Sequence, residues 1–176
     1  MIQFDRLDTI THDCLDIWNI KDIDNQAIAQ ESLKYMGQVK DSNSLNTMSE
    51  DSIINPEAPA TKKLFDKINE TLKYRNLIQA VEPWGQIHRL YEATGMHDHI
   101  EHDVAWVYYV RVPEDSGLLV CTIFEGWSRR RDYAHKPEEG QLIMFPGWMV
   151  HRVTKNFNEI PRISIAGDAN YIKETK

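Results

Sequence analysis

Cysteine is scarce in this chain. Only two occur among 176 residues, Cys14 and Cys121, and neither belongs to a Cys-x-x-Cys pair or to a Cys/His zinc pattern. Small domains that depend on disulfides or structural zinc carry more cysteines, at recognisable spacings. The scarcity therefore argues against a disulfide framework, and we expect apolar packing to stabilise the core.

Long apolar runs and an excess of basic residues are also missing. No stretch approaches the length of a membrane span, and the first residues, MIQFDRLDTI, include acids where a signal peptide would be apolar. The formal net charge of -7 argues against bulk affinity for nucleic acid or for anionic membranes. We expect a cytoplasmic protein with neither a nucleic-acid partner nor a membrane partner.

The composition is sufficient for one core. Hydrophobic residues make up 41% and charged residues 27%, and residues 1–176 most simply form a single domain. Within residues 1–80 we predict a helical support region. Asp24 and Thr61 can cap two helices, and the second helix carries an apolar face that recurs every four residues at Leu64, Ile68 and Leu72. Between the helices, polar residues and prolines predict a flexible loop over 40–59.

Residues 81–176 form the predicted catalytic core. Short strand-like runs alternate there with clusters of Gly, Pro, Asp and Asn. The runs cover 86–93, 104–112, 118–123, 141–145, 149–153 and 160–165. Strands at such spacing favour an antiparallel sandwich or barrel, and preceding helices would cover one sheet. The prediction is a mostly β fold with N-terminal helices, namely a double-stranded β-helix or cupin-like jelly roll.

The spacing of the histidines is the strongest chemical signal. His97 and His99 lie two apart, so they project from the same face if this segment is a strand. His151 follows a Phe-Pro-Gly turn and would approach from a facing strand. Neutral imidazoles in this arrangement can bind one metal ion. Surface histidines in a polar hairpin would show the same local pattern, but the sequence that follows favours a site.

The third metal ligand has two candidates. Non-haem Fe(II) oxygenases use two histidines and one carboxylate, which leaves open positions on the metal. Position 101 shares the alternation of positions 97 and 99, and it holds a glutamate. The ligands are therefore either His97, His99 and His151, or His99, Glu101 and His151.

Arg162 is a candidate anchor for an anion. It lies 11 residues after His151 on a strand-like run, and Ser164 shares its face. A guanidinium can bind a carboxylate through two parallel charge-assisted hydrogen bonds, and a hydroxyl can add a third donor. An arginine paired with acids on a sheet face is the alternative, which the nearby histidines make less attractive.

Several short motifs between residues 84 and 166 occur in an order and at spacings that can be compared with those of known families. They are Trp84-Gly85-Gln86, His97-x-His99, Val107-Tyr108-Tyr109-Val110-x-Val112-Pro113, Ser116-Gly117, Gly140-x-Leu142-Ile143-Met144-Phe145-Pro146, His151 and Arg162-Ile163-Ser164-Ile165. In these pieces the chain resembles the 2-oxoglutarate/Fe(II)-dependent oxygenase superfamily, and within it a branch of marine bacteria and their phages. The chain departs from the superfamily's usual His-x-Asp/Glu at 97–99, and from the branch's Ser-Gly at Ala105-Trp106.

The resemblance implies a specific site. It places Fe(II) at His97, His99 and His151, and it places Arg162 and Ser164 at the distal carboxylate of 2-oxoglutarate, with Tyr109 as a further hydrogen-bond donor. It implies a dioxygenase that consumes O2, hydroxylates a small molecule or peptide, and releases succinate and CO2. The sequence does not identify that substrate.

Two other classes fit parts of the pattern. A cupin-like metal enzyme without 2-oxoglutarate could use three histidines, but Arg162 and Ser164 argue against it. A non-catalytic binding module could keep the fold and lose turnover. Outside the site, the three arginines of the segment 125–135 either hold an acidic substrate or belong to a solvated loop.

Overall fold

The computed structural model describes residues 15–34, 50–52, 54–125 and 129–173. In chain order the elements are β1 (Asp16–Asn19), α1 (Asn25–Lys34), β2 (Glu50–Ser52), α2 (Pro59–Tyr74), β3 (Leu77–Gln79), β4 (Trp84–His88), β5 (Thr94–His97), β6 (Val104–Arg111), β7 (Leu119–Glu125), β8 (Arg129–His135), β9 (Gln141–Pro146), β10 (Val150–Val153) and β11 (Arg162–Tyr171). Neither described helix has the length and apolar character needed to cross a membrane.

The strands form two antiparallel sheets. The larger sheet has the order β1-β9-β6-β11-β4-β2, and β3 also pairs with β11; the smaller sheet has the order β5-β10-β7-β8. Successive strands of the catalytic core often belong to different sheets, so the chain winds between the two layers. This is the mostly β jelly roll with N-terminal helices that the sequence predicts.

Both helices cover the outer face of the larger sheet. Ile28 and Ala29 of α1 and the predicted apolar face of α2 pack in one buried cluster with sheet residues such as Tyr108 and Ile165. Leu64, Ile68 and Leu72 are each at most 1% exposed. Complete burial of such side chains stabilises a fold by roughly 1.5–3 kcal/mol each, so α2 is held mainly by this face.

One predicted helix cap is confirmed and the other is wrong. Asp24 Oδ1 accepts a hydrogen bond of 2.9 Å from the backbone N–H of Ala27 and so caps α1. In contrast, α2 begins at Pro59 after Ala58, and Thr61 lies buried within its first turn. Proline fixes φ near the helical value and lacks an N–H that would need a cap, which explains the earlier start.

Two predicted boundaries also differ. Of the predicted loop over 40–59, residues 50–52 form β2, which pairs with β4, and residue 59 begins α2; residues 40–49 and 53 lie outside the described part. The predicted strand 86–93 ends at His88, because the chain turns there and Tyr91 adopts a positive φ of 67°.

The space between the two sheets holds the candidate site. Its apolar part is a second buried cluster that includes Ile17, Tyr109, Leu119, Phe145 and Met149. Every second residue of β11 faces the space between the sheets. The register of the larger sheet determines which residues of the adjacent strands lie beside them. Arg162 lies opposite His88, and Ser164 lies opposite Gln86 on one side and Tyr109 on the other.

Candidate metal and co-substrate site

Three histidines converge between the sheets. His97 ends β5 and His151 lies directly opposite it on β10, with ring centroids 4.2 Å apart. The His99 ring centroid lies 5.2 Å from each of the other two. One ring nitrogen from each histidine falls within 4.8 Å of the others. The structure thus brings together three of the four predicted ligand candidates.

Glu101 is not brought to this cluster. β5 ends at His97, so the alternation that would align positions 97, 99 and 101 does not continue. His99 reaches the cluster from a loop, where its backbone N–H donates to the Gly147 carbonyl at 2.8 Å. Glu101 lies exposed in the following turn. Among the described residues, the candidate metal-binding group contains the three histidines and no carboxylate.

Nδ1 of each ring faces an oxygen atom, and in two of the three rings it forms a hydrogen bond. His97 Nδ1 donates to the Gly95 carbonyl at 2.8 Å, and His151 Nδ1 donates to the Met149 carbonyl at 3.0 Å. His99 Nδ1 lies 2.8 Å from a carboxylate oxygen of Asp168. The carbonyl acceptors hold the proton of His97 and His151 on Nδ1, and the carboxylate charge beside His99 favours the proton on the same atom. The Nε2 lone pairs are then available to a metal.

The surroundings keep His151 neutral. Burial, reinforced by the neighbouring His97, lowers the pKa of His151 to about 4, so the ring carries no proton on Nε2 at neutral pH. The Phe145 ring packs edge-on against it at 4.7 Å, and Trp84 stacks on His99 at 6.0 Å. These aromatic neighbours restrict the rotation of the two imidazoles.

Gly147 positions the loop that carries His99. A Cβ at this position would lie 2.0 Å from the His102 carbonyl oxygen and 2.7 Å from that of His99. Because both atoms belong to the backbone, the clash cannot be relieved by a side-chain rotation. We expect Gly147→Ala to displace this loop and to weaken metal binding at least tenfold, as changes in ligand orientation commonly do.

The Gly147→Ala prediction is tested by titrating the apoprotein with Fe(II) under anaerobic conditions. Gly140→Ala is the matched control, because a Cβ there would meet its nearest atom, the Ile20 carbonyl oxygen, at an ordinary 3.6 Å. Its positive φ of 86° makes it a demanding control for backbone strain alone. Equal metal affinity in Gly147→Ala and wild type would contradict the role assigned to this glycine.

Arg162 is buried at the other end of the same space. It is 1% exposed, and its Nη2 donates to Nδ1 of the buried His88 at 3.0 Å, while Nη1 donates to the Ser116 carbonyl at 3.3 Å. His88 Nε2 lies 2.8 Å from Thr94 Oγ1. Burial, together with the adjacent guanidinium, keeps the pKa of His88 well below its usual range, so His88 acts as a neutral acceptor.

The guanidinium therefore lacks a counter-charge. Its partners in the described part of the chain are neutral groups, and its buried Nε has no hydrogen-bond partner there. A buried cation without an anion is costly. An anionic ligand that reaches Nε would remove that cost.

One pocket, lined by both groups, connects the two ends. The three histidines and Arg162 line it, as do Gln86, Tyr109 and Ser164. No carboxylate is among the described lining residues. Burial raises the pKa of Tyr109 to about 12, so its hydroxyl keeps its proton and can donate a hydrogen bond.

This arrangement fits a divalent metal and an anionic co-substrate. The three imidazoles present the nitrogen ligands that iron accepts, and three ligands leave positions open. Arg162 has a geometry suited to a carboxylate, and Tyr109 and Ser164 lie beside it in register. The histidines and Arg162 line the same pocket. A co-substrate that contacts both the metal and the arginine requires this.

Sequence reasoning missed two buried partners. His88 supports Arg162, and Asp168 contacts His99; both lie on strands where alternation alone could have placed them on the inner face. Their partners, however, depend on sheet register. Arg130 and Arg131 are not among the residues that line the pocket. Arg130 forms two hydrogen bonds with Asp132 on the exposed strand β8, and Arg152 of β10 also donates to Asp132.

The fold of the chain is shared with solved 2-oxoglutarate oxygenases. A prolyl-4-hydroxylase from Pseudomonas putida has 18% identity and a TM-score of 0.63, over 85% of this chain and 86% of its own. A prolyl hydroxylase from Trichoplax adhaerens, solved with a peptide of the hypoxia inducible factor oxygen degradation domain, has 15% identity and a TM-score of 0.67, over 89% and 83%. The epimerase SnoN, solved with Fe3+, alpha ketoglutarate and nogalamycin RO, has 11% identity and a TM-score of 0.63, over 90% and 79%. These likenesses confirm the predicted double-stranded β-helix.

Sequence comparison identifies the family. No curated protein sequence is similar enough to the chain to count as a match. A family model described as "Putative 2OG-Fe(II) oxygenase" matches residues 82–168, about half of the chain, and these residues include every candidate ligand and anchor. The predicted resemblance to the superfamily is therefore confirmed, while the predicted branch stays a prediction: the chain belongs to the 2OG-Fe(II) oxygenase family and is an Fe(II)- and 2-oxoglutarate-dependent oxygenase.

Proposed function

We propose that Nε2 of His97, His99 and His151 binds Fe(II), and that Arg162 binds the distal carboxylate of 2-oxoglutarate. The observation that carries this proposal is the pocket with three free imidazole nitrogens at one end and an unneutralised, buried guanidinium at the other. A metal ion would occupy the free nitrogens at the first end, and the carboxylate of the co-substrate would neutralise the guanidinium at the second. The exposed Glu101 is not needed as a ligand.

The other polar residues orient the co-substrate. Tyr109 and Ser164 face the pocket beside Arg162 and donate hydrogen bonds to the same carboxylate, which fixes its direction. His88 holds the guanidinium from behind without neutralising it. Phe145 and Trp84 keep water from the histidine cluster. Bound Fe(II), with 2-oxoglutarate and O2, supplies the oxidising chemistry and yields succinate and CO2 as co-products.

We further propose hydroxylation of a small molecule or peptide as the reaction. Outside Arg162 and the histidines, the described lining residues are uncharged, so the substrate carbon enters a neutral environment.

Residues 81–176 would form the catalytic core and residues 1–80 its support within one domain, since α1 and α2 pack directly on the larger sheet. The net charge of -7 supports a substrate other than nucleic acid, and the scarcity of cysteine fits the reducing cytoplasm.

Anaerobic titration of the apoprotein with Fe(II) and then 2-oxoglutarate tests this function. We expect a weak visible metal-to-ligand charge-transfer band when both are present, and succinate after admission of O2. Asp132→Asn on the outer face of the smaller sheet is a control that should behave as wild type. Metal binding without the band would favour the cupin-like enzyme, and absence of metal binding would favour the non-catalytic module.

A further inference from the structure

Asp168 is a buried carboxylate beside the histidine cluster. It lies on β11 and follows Arg162, Ser164 and Ala166 in the alternation that faces the pocket side, and it is 5% exposed. Its Oδ1 lies 2.8 Å from His99 Nδ1 and its Oδ2 lies 3.7 Å from His102 Nε2. The backbone carbonyl of Asp168 serves the sheet separately, by accepting from the N–H of Ala80.

In the part of the chain that the structure describes, no lysine or arginine forms an ion pair with this carboxylate. In the described part of the chain, only the two histidines lie within ion-pair distance of it, and Oδ1 receives no well-aligned hydrogen bond. A buried carboxylate is costly unless a positive charge offsets it. A divalent cation on Nε2 of His99 would lie on the opposite side of the same imidazole ring and would provide that charge.

The proposed metal centre, in turn, lacks a negatively charged ligand. Two histidines and one carboxylate bring one negative charge to Fe(II), whereas three neutral histidines bring none. A carboxylate that accepts the second ring proton of a histidine ligand fixes the ring and makes it a stronger base. Asp168 is the carboxylate beside His99, 2.8 Å from its Nδ1, and this contact acts through charge rather than through an aligned hydrogen bond.

We propose, on the basis of the iron site proposed above, that Asp168 is a positioning residue of the metal centre. Through His99 it supplies the negative charge that the three-histidine ligand set lacks, and it fixes His99, the one ligand that lies outside a strand. Asp168 does not touch the metal, the co-substrate or the reacting atoms. Its effect is therefore on metal affinity rather than on the chemistry itself.

Cobalt(II) affinity of the full-length apoprotein tests this role without turnover. We expect the Co(II) dissociation constant of Asp168→Asn to rise by about 10- to 100-fold, the effect of losing a partner of a metal-bound histidine. Asp98→Asn is the matched control: it removes the same charge from the residue between His97 and His99, but from an exposed side chain. We expect its dissociation constant to change by less than about threefold.

A second readout separates positioning from general destabilisation. In the diamagnetic Zn(II)-loaded protein, the Nδ1 proton of His99 should give a proton NMR signal whose position shifts in Asp168→Asn, while the signals of His97 and His151 stay in place. If Asp168→Asn does not fold, Asp168→Ser offers a smaller polar side chain with the same expectation.

The outcomes distinguish this inference from the proposed function. Unchanged Co(II) affinity in Asp168→Asn, or an equal loss in Asp98→Asn, would overturn the role of Asp168 while leaving the three-histidine site in place. Failure of the wild-type protein to bind Co(II) would overturn the metal site itself.

Discussion

The His151→Ala variant is expected to lose Fe(II) binding. In the proposed site His151 supplies one of three nitrogen ligands, and its ring is fixed by the Met149 carbonyl and by Phe145. Loss of a partner behind a ligand already costs about 10- to 100-fold in metal affinity, so loss of a ligand should raise the dissociation constant by more than about 100-fold. Anaerobic Fe(II) titration measures this change.

Two further variants make the result for His151 specific. His151→Gln keeps much of the buried volume and should lose metal binding as well, which separates a lost ligand from a cavity in the core. His135→Ala removes a histidine from β8 whose ring lies near Gln141, and it should bind Fe(II) as wild type does. Retained oxygenase activity in both His151 variants would rule out the proposed ligand set.

Arg162→Ala should leave metal binding largely intact and sharply raise the 2-oxoglutarate requirement. Truncating one partner of a buried charge pair costs about 2–5 kcal/mol, and each 1.4 kcal/mol is tenfold. We therefore expect the 2-oxoglutarate dissociation constant to rise by roughly 100-fold. The charge-transfer band, followed as 2-oxoglutarate is added to the Fe(II) protein, gives this constant directly.

Arg162→Lys distinguishes charge from geometry. Lysine keeps the positive charge but cannot form two parallel hydrogen bonds, so its affinity for 2-oxoglutarate should lie between those of wild type and alanine. Arg152→Ala, which disrupts only an exposed ion pair with Asp132, is the control. If Arg162→Ala bound 2-oxoglutarate normally, the anchor would have to lie elsewhere in the pocket.

Much of this site could be predicted because its residues lie on regular strands. Arg162 and Ser164 face inward by simple alternation on β11, and Tyr109 faces them from β6 in register. The position of His151 could also be predicted from the sequence, because this residue follows a Phe-Pro-Gly turn and lies on a short strand. Where secondary structure is regular, period and spacing are enough to place a side chain.

The rest depended on contacts between distant parts of the chain. The sequence could not show that β5 ends at His97, because the loop that brings His99 inward is held by Gly147, far along the chain. That loop separates Glu101 from the three clustered histidines. Likewise, the pairing of His88 with Arg162 and of Asp168 with His99 follows from tertiary packing, and neither pair has a local sequence signal.

Strand β11 also makes the stability of the folded protein depend on the concentrations of iron and 2-oxoglutarate. It carries a buried arginine at Arg162 and a buried carboxylate at Asp168. Among the described residues, Arg162 has no acidic partner and Asp168 has only histidines within ion-pair distance. The empty protein bears both electrostatic costs in its folded state alone. A ligand at 100 times its dissociation constant adds about 2.7 kcal/mol to the free energy of unfolding. Scarcity of iron or of 2-oxoglutarate would thus shorten the protein's lifetime against proteases as well as slow its turnover.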